Sequence, residues 1–134
     1  METTVDNKAV MLIDDDAITN FINTKVIKLN FSFDVHDYVN AQLALEQLMQ
    51  WCQSFPEKLP FIIFLDINMP VMDGWEFLEE FQKLPSIAQQ KSRIFMLTSS
   101  IDGEDIEKAK TYPVVSEFIS KPLTPDKLRN LIQD

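Results

Sequence analysis

Apolar residues follow two patterns along this chain: short continuous runs, and positions spaced three and four residues apart. A continuous run predicts a strand buried on both faces, and the wider spacing predicts one face of an amphipathic helix. Strand and helix patterns alternate five times along the chain. The predicted strands are Ala9–Asp14, Phe31–His36, Phe61–Asp66, Arg93–Thr98 and Val114–Ser120.

The second predicted strand differs from the others, because Phe31, Phe33 and Val35 alternate with polar residues. A period of two is typical of a strand with one exposed face, and we expect this strand at an edge of the sheet. The run Phe61–Asp66 is the most apolar and is therefore expected near the centre.

Five helices are predicted between and after these strands. Asp16 is expected to stabilise the N-terminus of the first helix, and Thr124–Pro125 to open the last. The third is predicted to begin at Trp75 and to stop before Pro85, since proline disfavours the helical conformation in the preceding residue. The fourth, Asp102–Lys110, has few apolar residues and is expected to be the weakest and most mobile element. The first helix is predicted to pack on the core through one apolar face. This face consists of Ile18, Phe21, Ile22, Val26 and Leu29.

The alternation of strands and helices predicts a parallel sheet with helices on both faces and right-handed crossovers. Polar residues stand at the ends of its strands: Asp14–Asp16 at the first, Asp66 at the third, Thr98 at the fourth and Lys121 after the last. In open α/β sheets, ligands bind in the crevice outside the carboxyl ends of the strands. We therefore expect these side chains to converge on one site.

The composition is that of one ordinary domain. With 134 residues, 46% of them hydrophobic, the chain is expected to form a single domain over residues 1–134. Its net charge of -9 disfavours direct binding to nucleic acid, whose phosphates require basic residues. The apolar stretches are too short to cross a bilayer and Met1–Lys8 does not resemble a secretory signal, so a cytoplasmic location without membrane attachment is expected. Cys52 is expected to pack as a small hydrophobic residue.

The candidate site combines carboxylates with one ammonium group. Asp14, Asp15 and Asp66 would repel one another in a shared crevice unless a cation offset their charge. Mg²⁺ fits this requirement, because it prefers oxygen ligands and is commonly held by one or two carboxylates together with phosphate oxygens. Lys121 and Thr98 can both donate to phosphoryl oxygens, and one aspartate can act as the nucleophile. The residues therefore predict a magnesium-dependent phosphoryl-transfer site.

Four motifs occur in order along the chain: Ile13–Asp16, Phe64–Pro70 with Asp73–Gly74, Met96–Ser99 and Phe118–Pro122. They give the chain, over nearly its whole length, a resemblance to the receiver domains of two-component response regulators, the CheY-like family. The resemblance implies a flavodoxin-like (βα)5 fold, a doubly wound five-stranded parallel sheet with strand order 2-1-3-4-5. Because the sequence ends at Asp134, directly after the last predicted helix, we expect a stand-alone receiver without an output domain.

The resemblance assigns roles at the site. Asp66 is implied to accept a phosphoryl group from a sensor histidine kinase or a histidine phosphotransfer protein. Mg²⁺ is implied to bind directly to Asp15, Asp66 and the backbone carbonyl of Asn68, with Asp14 acting largely through water. The peptide Lys121–Pro122 is similar to one that is cis in this family. The chain is not expected to be an enzyme beyond phosphorylating and dephosphorylating itself.

The resemblance also implies a conformational switch. Thr98 and Lys121 would contact the incoming phosphoryl group, and Thr98 would move inward so that Phe118 rotates and alters the surface of the fourth helix, last strand and last helix. Phe118 lacks the hydroxyl of the tyrosine that the family often has, so only the steric part of this coupling is expected. A monomer or weak dimer would then bind an unnamed target protein or pass on its phosphoryl group.

Two other functions stay open from the residues alone. A phosphatase of the haloacid dehalogenase type would use Asp14 as nucleophile, and Asp14–Asp16 supplies the Asp-x-Asp start of that family. However, Ile18 replaces the usual threonine or valine, and Asp66 would have no task. A receiver-like binding module would signal without phosphorylation. An Asp66→Asn variant distinguishes the nucleophiles, because phosphorylation that survives it would favour Asp14.

Overall fold

The computed structural model describes residues 8–99 and 102–132, and its strands form one parallel sheet. The strands are β1 (Ala9–Ile13), β2 (Asp34–Tyr38), β3 (Ile62–Asp66), β4 (Arg93–Thr98) and β5 (Val115–Ser120). Their order, β2-β1-β3-β4-β5, confirms the expected flavodoxin-like topology with β3 in the middle. Every residue of β1 and β3 is buried, as their continuous apolar runs predict.

The described residues form six α-helices, one more than predicted. They are α1 (Ala17–Asn30), α2 (Ala41–Ser54), α3 (Gly74–Phe81), α4 (Ser86–Lys91), α5 (Gly103–Ala109) and α6 (Pro125–Ile132), with a 3₁₀ turn at Pro56–Lys58. The additional helix is α4, which follows Pro85: the fixed φ of proline is unsuited to a helix interior but compatible with a helix start. The predicted fourth and last helices therefore correspond to α5 and α6. Within the described part of the chain, no helix is both long and apolar enough to span a bilayer.

Successive side chains of each strand point to opposite faces of the sheet, so two separate cores form. On one face Ile63 packs in a cluster with residues of α2, α3 and α4. On the other face Phe64 packs in a cluster with residues of α1 and α6. The prediction of helices on both faces is confirmed, and the buried strands β1, β3 and β4 lie between the two helical layers.

The second strand begins later than predicted. Phe31 is the extended C-cap of α1, and its N–H donates to the carbonyl of Ile27. Phe31 and Phe33 stack with ring centroids 5.3 Å apart, and Phe33 lies 5.1 Å from Phe61. Their alternation with polar residues therefore comes from an aromatic cluster beside the second core, and pairing with β1 begins only at Asp34.

The predicted buried face of α1 is wrong. Ile18, Phe21, Ile22 and Leu29 are 70%, 61%, 52% and 82% exposed, and Val26 is half-buried. The buried residues of α1 are Asn20, Asn23 and Ile27. Asn20 can be buried because its amide donates to backbone carbonyls of Asp14 and Tyr38, where two strands end.

Candidate functional site

Three aspartates meet where β1 and β3 end. Ile13 of β1 is paired in register with Leu65 of β3, so the residues that follow, Asp14 and Asp66, lie side by side. Asp14, Asp15 and Asp66 each present a carboxylate oxygen, and these oxygens all lie within 4.8 Å of one another. The structure thus brings together the three carboxylates that the strand ends predict.

Every polar atom of Asp14, in the backbone and the side chain, takes part in a hydrogen bond. Its N–H donates to the carbonyl of Tyr38 at 3.1 Å, and its carbonyl accepts from Nδ2 of Asn20 at 3.0 Å. Its Oδ1 accepts from the N–H of Asp16 at 2.9 Å, and its Oδ2 from Nζ of Lys121 at 3.0 Å. The side chain is buried, so Asp14 forms a rigid wall of the site.

Lys121 bridges two of the carboxylates. Its Nζ lies 3.0 Å from Oδ2 of Asp14 and 3.3 Å from Oδ1 of Asp66. The backbone N–H of Lys121 donates to the carbonyl of Thr98 at 2.8 Å, which fixes the residue at the end of β5. The Lys121–Pro122 peptide is cis, as the motif resemblance leads one to expect.

Burial and charge shift the titration of these groups. Burial, reinforced by the charge of Asp14, raises the pKa of Asp66 above the ordinary aspartate value, although Lys121 opposes the shift. Burial alone would lower the pKa of Lys121, but its hydrogen bond to Asp14 and the charge of Asp66 outweigh that effect and raise it. Independently of these shifts, three carboxyl groups face one ammonium group, so the ionisable side chains of the site favour a bound cation. Hard oxygen donors with excess negative charge fit Mg²⁺, and Asp14, Asp15 and Asp66 are the side chains that would hold it.

The raised pKa of Asp66 predicts how stability depends on pH without magnesium. Folded Asp66 keeps its proton to a higher pH than unfolded Asp66, so its contribution to stability falls as the pH rises through the folded-state pKa. In EDTA at neutral pH, Asp66→Asn should therefore raise the midpoint of thermal unfolding by roughly 2–6 °C, the shift expected for about 1 kcal/mol.

Thermal unfolding of both proteins between about pH 4 and pH 7 measures this effect. The advantage of Asp66→Asn should shrink toward acid pH, where the wild-type carboxyl is protonated. Asp37→Asn, which removes an exposed aspartate of β2, serves as the control and should show no comparable gain. A wild type that is as stable as Asp66→Asn at neutral pH would contradict the prediction.

Thr98 and Phe118 lie on the same face of the sheet, on the adjacent strands β4 and β5. Thr98 pairs in register with Ser120, and Phe118 pairs with Met96. Residues two apart in a strand share a face, so Thr98 and Phe118 are diagonal neighbours. Thr98 is buried, whereas Phe118 is half-buried and borders a cavity of about 350 Å³ between β5 and α5.

Helix α5, on the other side of that cavity, is linked to α3 by side chains at and just after its C-terminal end. Ala109 is its buried residue. Near its end, Nζ of Lys108 lies 4.7 Å from the ring centroid of Trp75, which in turn stacks on Tyr112 at 5.9 Å. Tyr112 donates to a carboxylate oxygen of Glu79 on α3 at 2.6 Å. Of the apolar residues in this helix, Ala109 is buried and Ile106 is 36% exposed, and the mobility of the helix stays a prediction.

Other residues predicted for the site lie at its margin. Asp16 caps α1 as expected: its carboxylate accepts from the N–H of Ile18 at 2.9 Å and from the hydroxyl of Thr19 at 3.1 Å. These hydrogen bonds lower the pKa of Asp16. Asn68 is exposed in the loop after β3, and the role of its carbonyl as a ligand stays a prediction.

Sequence reasoning missed two residues that hold the site. Asn20 is buried beneath the acid pair, Asp14 and Asp15. In the sequence it shows only as an amide residue next to the apolar positions of the first helix. Lys127, in the first turns of α6, donates to the carbonyls of Ser120 and Pro122 at 2.7 Å and 3.0 Å. Its ammonium therefore holds together the segment that carries Lys121. The position of Lys127 shortly after Lys121–Pro122 was the available signal.

Comparisons with known proteins identify the family and support the fold. The family described as "Response regulator receiver domain" matches residues 10–133. The crystal structure of a two component response regulator from Cytophaga hutchinsonii is similar, with a TM-score of 0.85, 35% identity and coverage of 94% of each chain. That of a response regulator receiver protein from Dyadobacter fermentans gives a TM-score of 0.82 and 29% identity, covering 94% of this chain and 95% of that one.

The chain is also similar to part of a larger protein, the cyclic di-GMP phosphodiesterase response regulator RpfG of Xanthomonas campestris. The two are 29% identical over 129 residues, which cover 92% of this chain but 32% of that protein. The chain thus spans about a third of this relative's length. The likeness concerns that portion only, and it does not extend the phosphodiesterase activity to this chain.

Proposed function

Because the chain belongs to the response regulator receiver domain family, and is thus a receiver of two-component signalling, we propose that it switches state when Asp66 is phosphorylated. The donor would be a histidine kinase or a histidine phosphotransfer protein, with Mg²⁺ as cofactor. The observation that carries the proposal is the meeting of Asp14, Asp15 and Asp66 within 4.8 Å, with Lys121 bridging two of them. Carboxylates and one ammonium in this arrangement suit phosphoryl transfer.

In the proposed reaction, an oxygen of the Asp66 carboxylate attacks the phosphorus of a phosphohistidine. An O–P bond forms, the P–N bond breaks, and its electron pair returns to the imidazole nitrogen of the donor. Lys121, 3.3 Å from Oδ1 of Asp66, offsets the negative charge that gathers around phosphorus. Bound Mg²⁺ would supply further positive charge for the phosphoryl oxygens.

Asp66 suits the role of nucleophile better than Asp14 does. Both carboxylate oxygens of Asp14 accept hydrogen bonds, one from the N–H of Asp16 and one from Lys121. Its backbone is fixed as well, by Tyr38 and Asn20. Asp14 would therefore act as a fixed charge in the wall of the site, which disfavours the phosphatase of haloacid dehalogenase type.

The output would run through Thr98 and Phe118. A phosphoryl group on Asp66 adds charge and acceptor oxygens, to which the hydroxyl of Thr98 would donate. A shift of Thr98 would alter the space beside Phe118, its diagonal neighbour on β5. Phe118 borders the cavity next to α5, so its rotation would change the surface that a target protein meets.

The exposed apolar face of α1 is the proposed docking surface for the phosphoryl donor. Ile18, Phe21 and Ile22 are each more than half exposed, and they begin within the first turns after the acid pair. Exposed apolar patches rimmed by polar residues mark interaction sites on soluble proteins, which supports a docking role for these side chains. A donor seated there would present its phosphohistidine near Asp66.

Phosphorylation of purified protein tests the proposal. Wild type, Asp66→Asn and Asp14→Asn would each be incubated with acetyl phosphate, and with purified histidine kinases, in Mg²⁺ or in EDTA, and phosphorylation followed by intact mass. Wild type should gain one phosphoryl group in Mg²⁺ and none in EDTA. Asp66→Asn should stay unmodified, and Asp14→Asn should react more slowly than wild type.

The alternatives give different results. Phosphorylation that survives in Asp66→Asn but is lost in Asp14→Asn would favour the haloacid dehalogenase mechanism. A wild type that no donor modifies, and whose amide spectrum around Thr98 and Phe118 is unchanged by beryllofluoride with Mg²⁺, would indicate a phosphorylation-independent binding module.

A further inference from the structure

We propose that Asn20 is a positioning residue for the acidic site: its side-chain amide holds the Asp14–Asp15 peptide in the orientation that lets the carboxylates bind Mg²⁺. The inference rests on the proposed function, because it assigns a role within the same site. Asn20 is fully buried in α1. Its Nδ2 donates to the carbonyl of Asp14 at 3.0 Å and to the carbonyl of Tyr38 at 3.2 Å.

These two hydrogen bonds continue the sheet beyond its last paired residues. Register pairing between β1 and β2 ends at Ile13 and Tyr38. One step further, the N–H of Asp14 still reaches the carbonyl of Tyr38, and the amide of Asn20 joins the same two residues. The acid pair therefore stands on a stretch of backbone fixed by a helix as well as by a strand.

The bond to Asp14 acts on Asp15. The carbonyl of Asp14 and the N–H of Asp15 belong to one planar peptide unit, so holding the carbonyl sets the direction in which Asp15 leaves the strand. Asp15 is exposed, yet its carboxylate oxygen lies within 4.8 Å of those of Asp14 and Asp66. Residues that orient the ligands of a metal without contacting the metal strongly affect the affinity for it.

The side-chain oxygen of Asn20 indicates that this residue has a role besides stabilising the fold. Its Oδ1 is buried and has no hydrogen-bond partner in the described part of the chain. An unpaired buried acceptor destabilises the folded state, and a leucine of similar size would avoid that penalty. The gain that offsets it is the pair of N–H donors, one of which donates to the carbonyl of Asp14 and the other to the carbonyl of Tyr38 beside it.

Magnesium binding without any phosphoryl donor tests the inference. Asn20→Leu keeps the volume but removes both donors, and Asn20→Ala removes them without adding bulk. We expect either variant to raise the Kd for Mg²⁺ about 10-fold or more, and to shift the amide resonance of Asp15 before Mg²⁺ is added. Asn23→Leu, which removes another buried amide from α1, is the matched control and should bind Mg²⁺ as wild type does.

Each outcome bears on a separate claim. Wild-type Mg²⁺ affinity in a folded Asn20 variant would overturn the positioning role and leave the proposed function intact. Failure of both Asn20 variants to fold, with Asn23→Leu folded, would assign Asn20 to fold stability and also overturn the role. A wild-type protein that binds no Mg²⁺ and accepts no phosphoryl group would instead remove the proposed function itself.

Discussion

Gly74→Ala is expected to lower the free energy of unfolding by about 2–3 kcal/mol, because α3 begins in contact with the backbone of the site. A Cβ at Gly74 would lie 2.9 Å from the carbonyl oxygen of Asp66 and 2.9 Å from Cα of Ile67. Both are backbone atoms that cannot move aside as a side-chain end can. The N–H of Gly74 also donates to the carbonyl of Ile67 at 2.8 Å, which ties the helix start to the strand end.

Chemical denaturation measures the loss, and the displaced Asp66 should also be phosphorylated more slowly. Gly103 provides the matched control, since it is the first residue of α5 and a Cβ there meets nothing within 4 Å. Gly103→Ala should be neutral or stabilise the protein by up to about 1 kcal/mol, because alanine loses less backbone entropy than glycine on folding. Equal effects of the two substitutions would show that the close approach at Gly74 does not govern packing of α3.

Lys121→Met is expected to reduce both stability and phosphorylation. Its ammonium is the cation that contacts Asp14 and Asp66, and without it these buried carboxylates would face each other uncompensated. In EDTA at neutral pH, we expect a loss of about 1–3 kcal/mol, which should diminish at acid pH as carboxylates take up protons. Saturating Mg²⁺ should restore much of this stability, since a cation that binds only the folded state stabilises it.

Phosphorylation by acetyl phosphate should slow by about 100-fold in Lys121→Met, even with Mg²⁺ present, because a fixed positive charge at the reacting group is lost. Lys83→Met is the control: Lys83 is 71% exposed and pairs with Glu80 on the surface, where a salt bridge contributes little. If Lys121→Met were phosphorylated at the wild-type rate, Lys121 would serve only to balance the resting charge of the aspartates.

The place of the site followed from the sequence because its residues terminate strands. Asp14, Asp66 and Thr98 each come directly at the end of an apolar run, and a parallel sheet collects such ends along one edge. The face of α1 that is buried could not be predicted from the sequence in the same way. Its apolar side chains Ile18 and Phe21 repeat at the spacing of a core-facing helix, yet they are exposed. Spacing shows that a face is apolar, and it does not say whether that face meets the core or another protein.

Aromatic residues and proline misled the prediction elsewhere for local reasons. Phe31 and Phe33 alternate with polar residues as a strand would, but they stack on each other beyond the end of α1. The helix predicted to continue up to Pro85 ends earlier, at Phe81. Pro85 instead precedes a second short helix, which the polar residues after it gave little reason to expect.

The sequence by itself determined the alternation of strands and helices and the chemistry at the strand ends, because hydrophobic spacing and residue type act locally. The tertiary structure alone decided which groups hold that chemistry in place. Asn20 meets the carbonyls of Asp14 and Tyr38 only after two strands and a helix have assembled, and Lys127 meets those of Ser120 and Pro122 only once the last loop has closed. Backbone groups left unpaired at the end of a sheet must find partners from another element. Which side chain supplies the partner depends on how the elements pack.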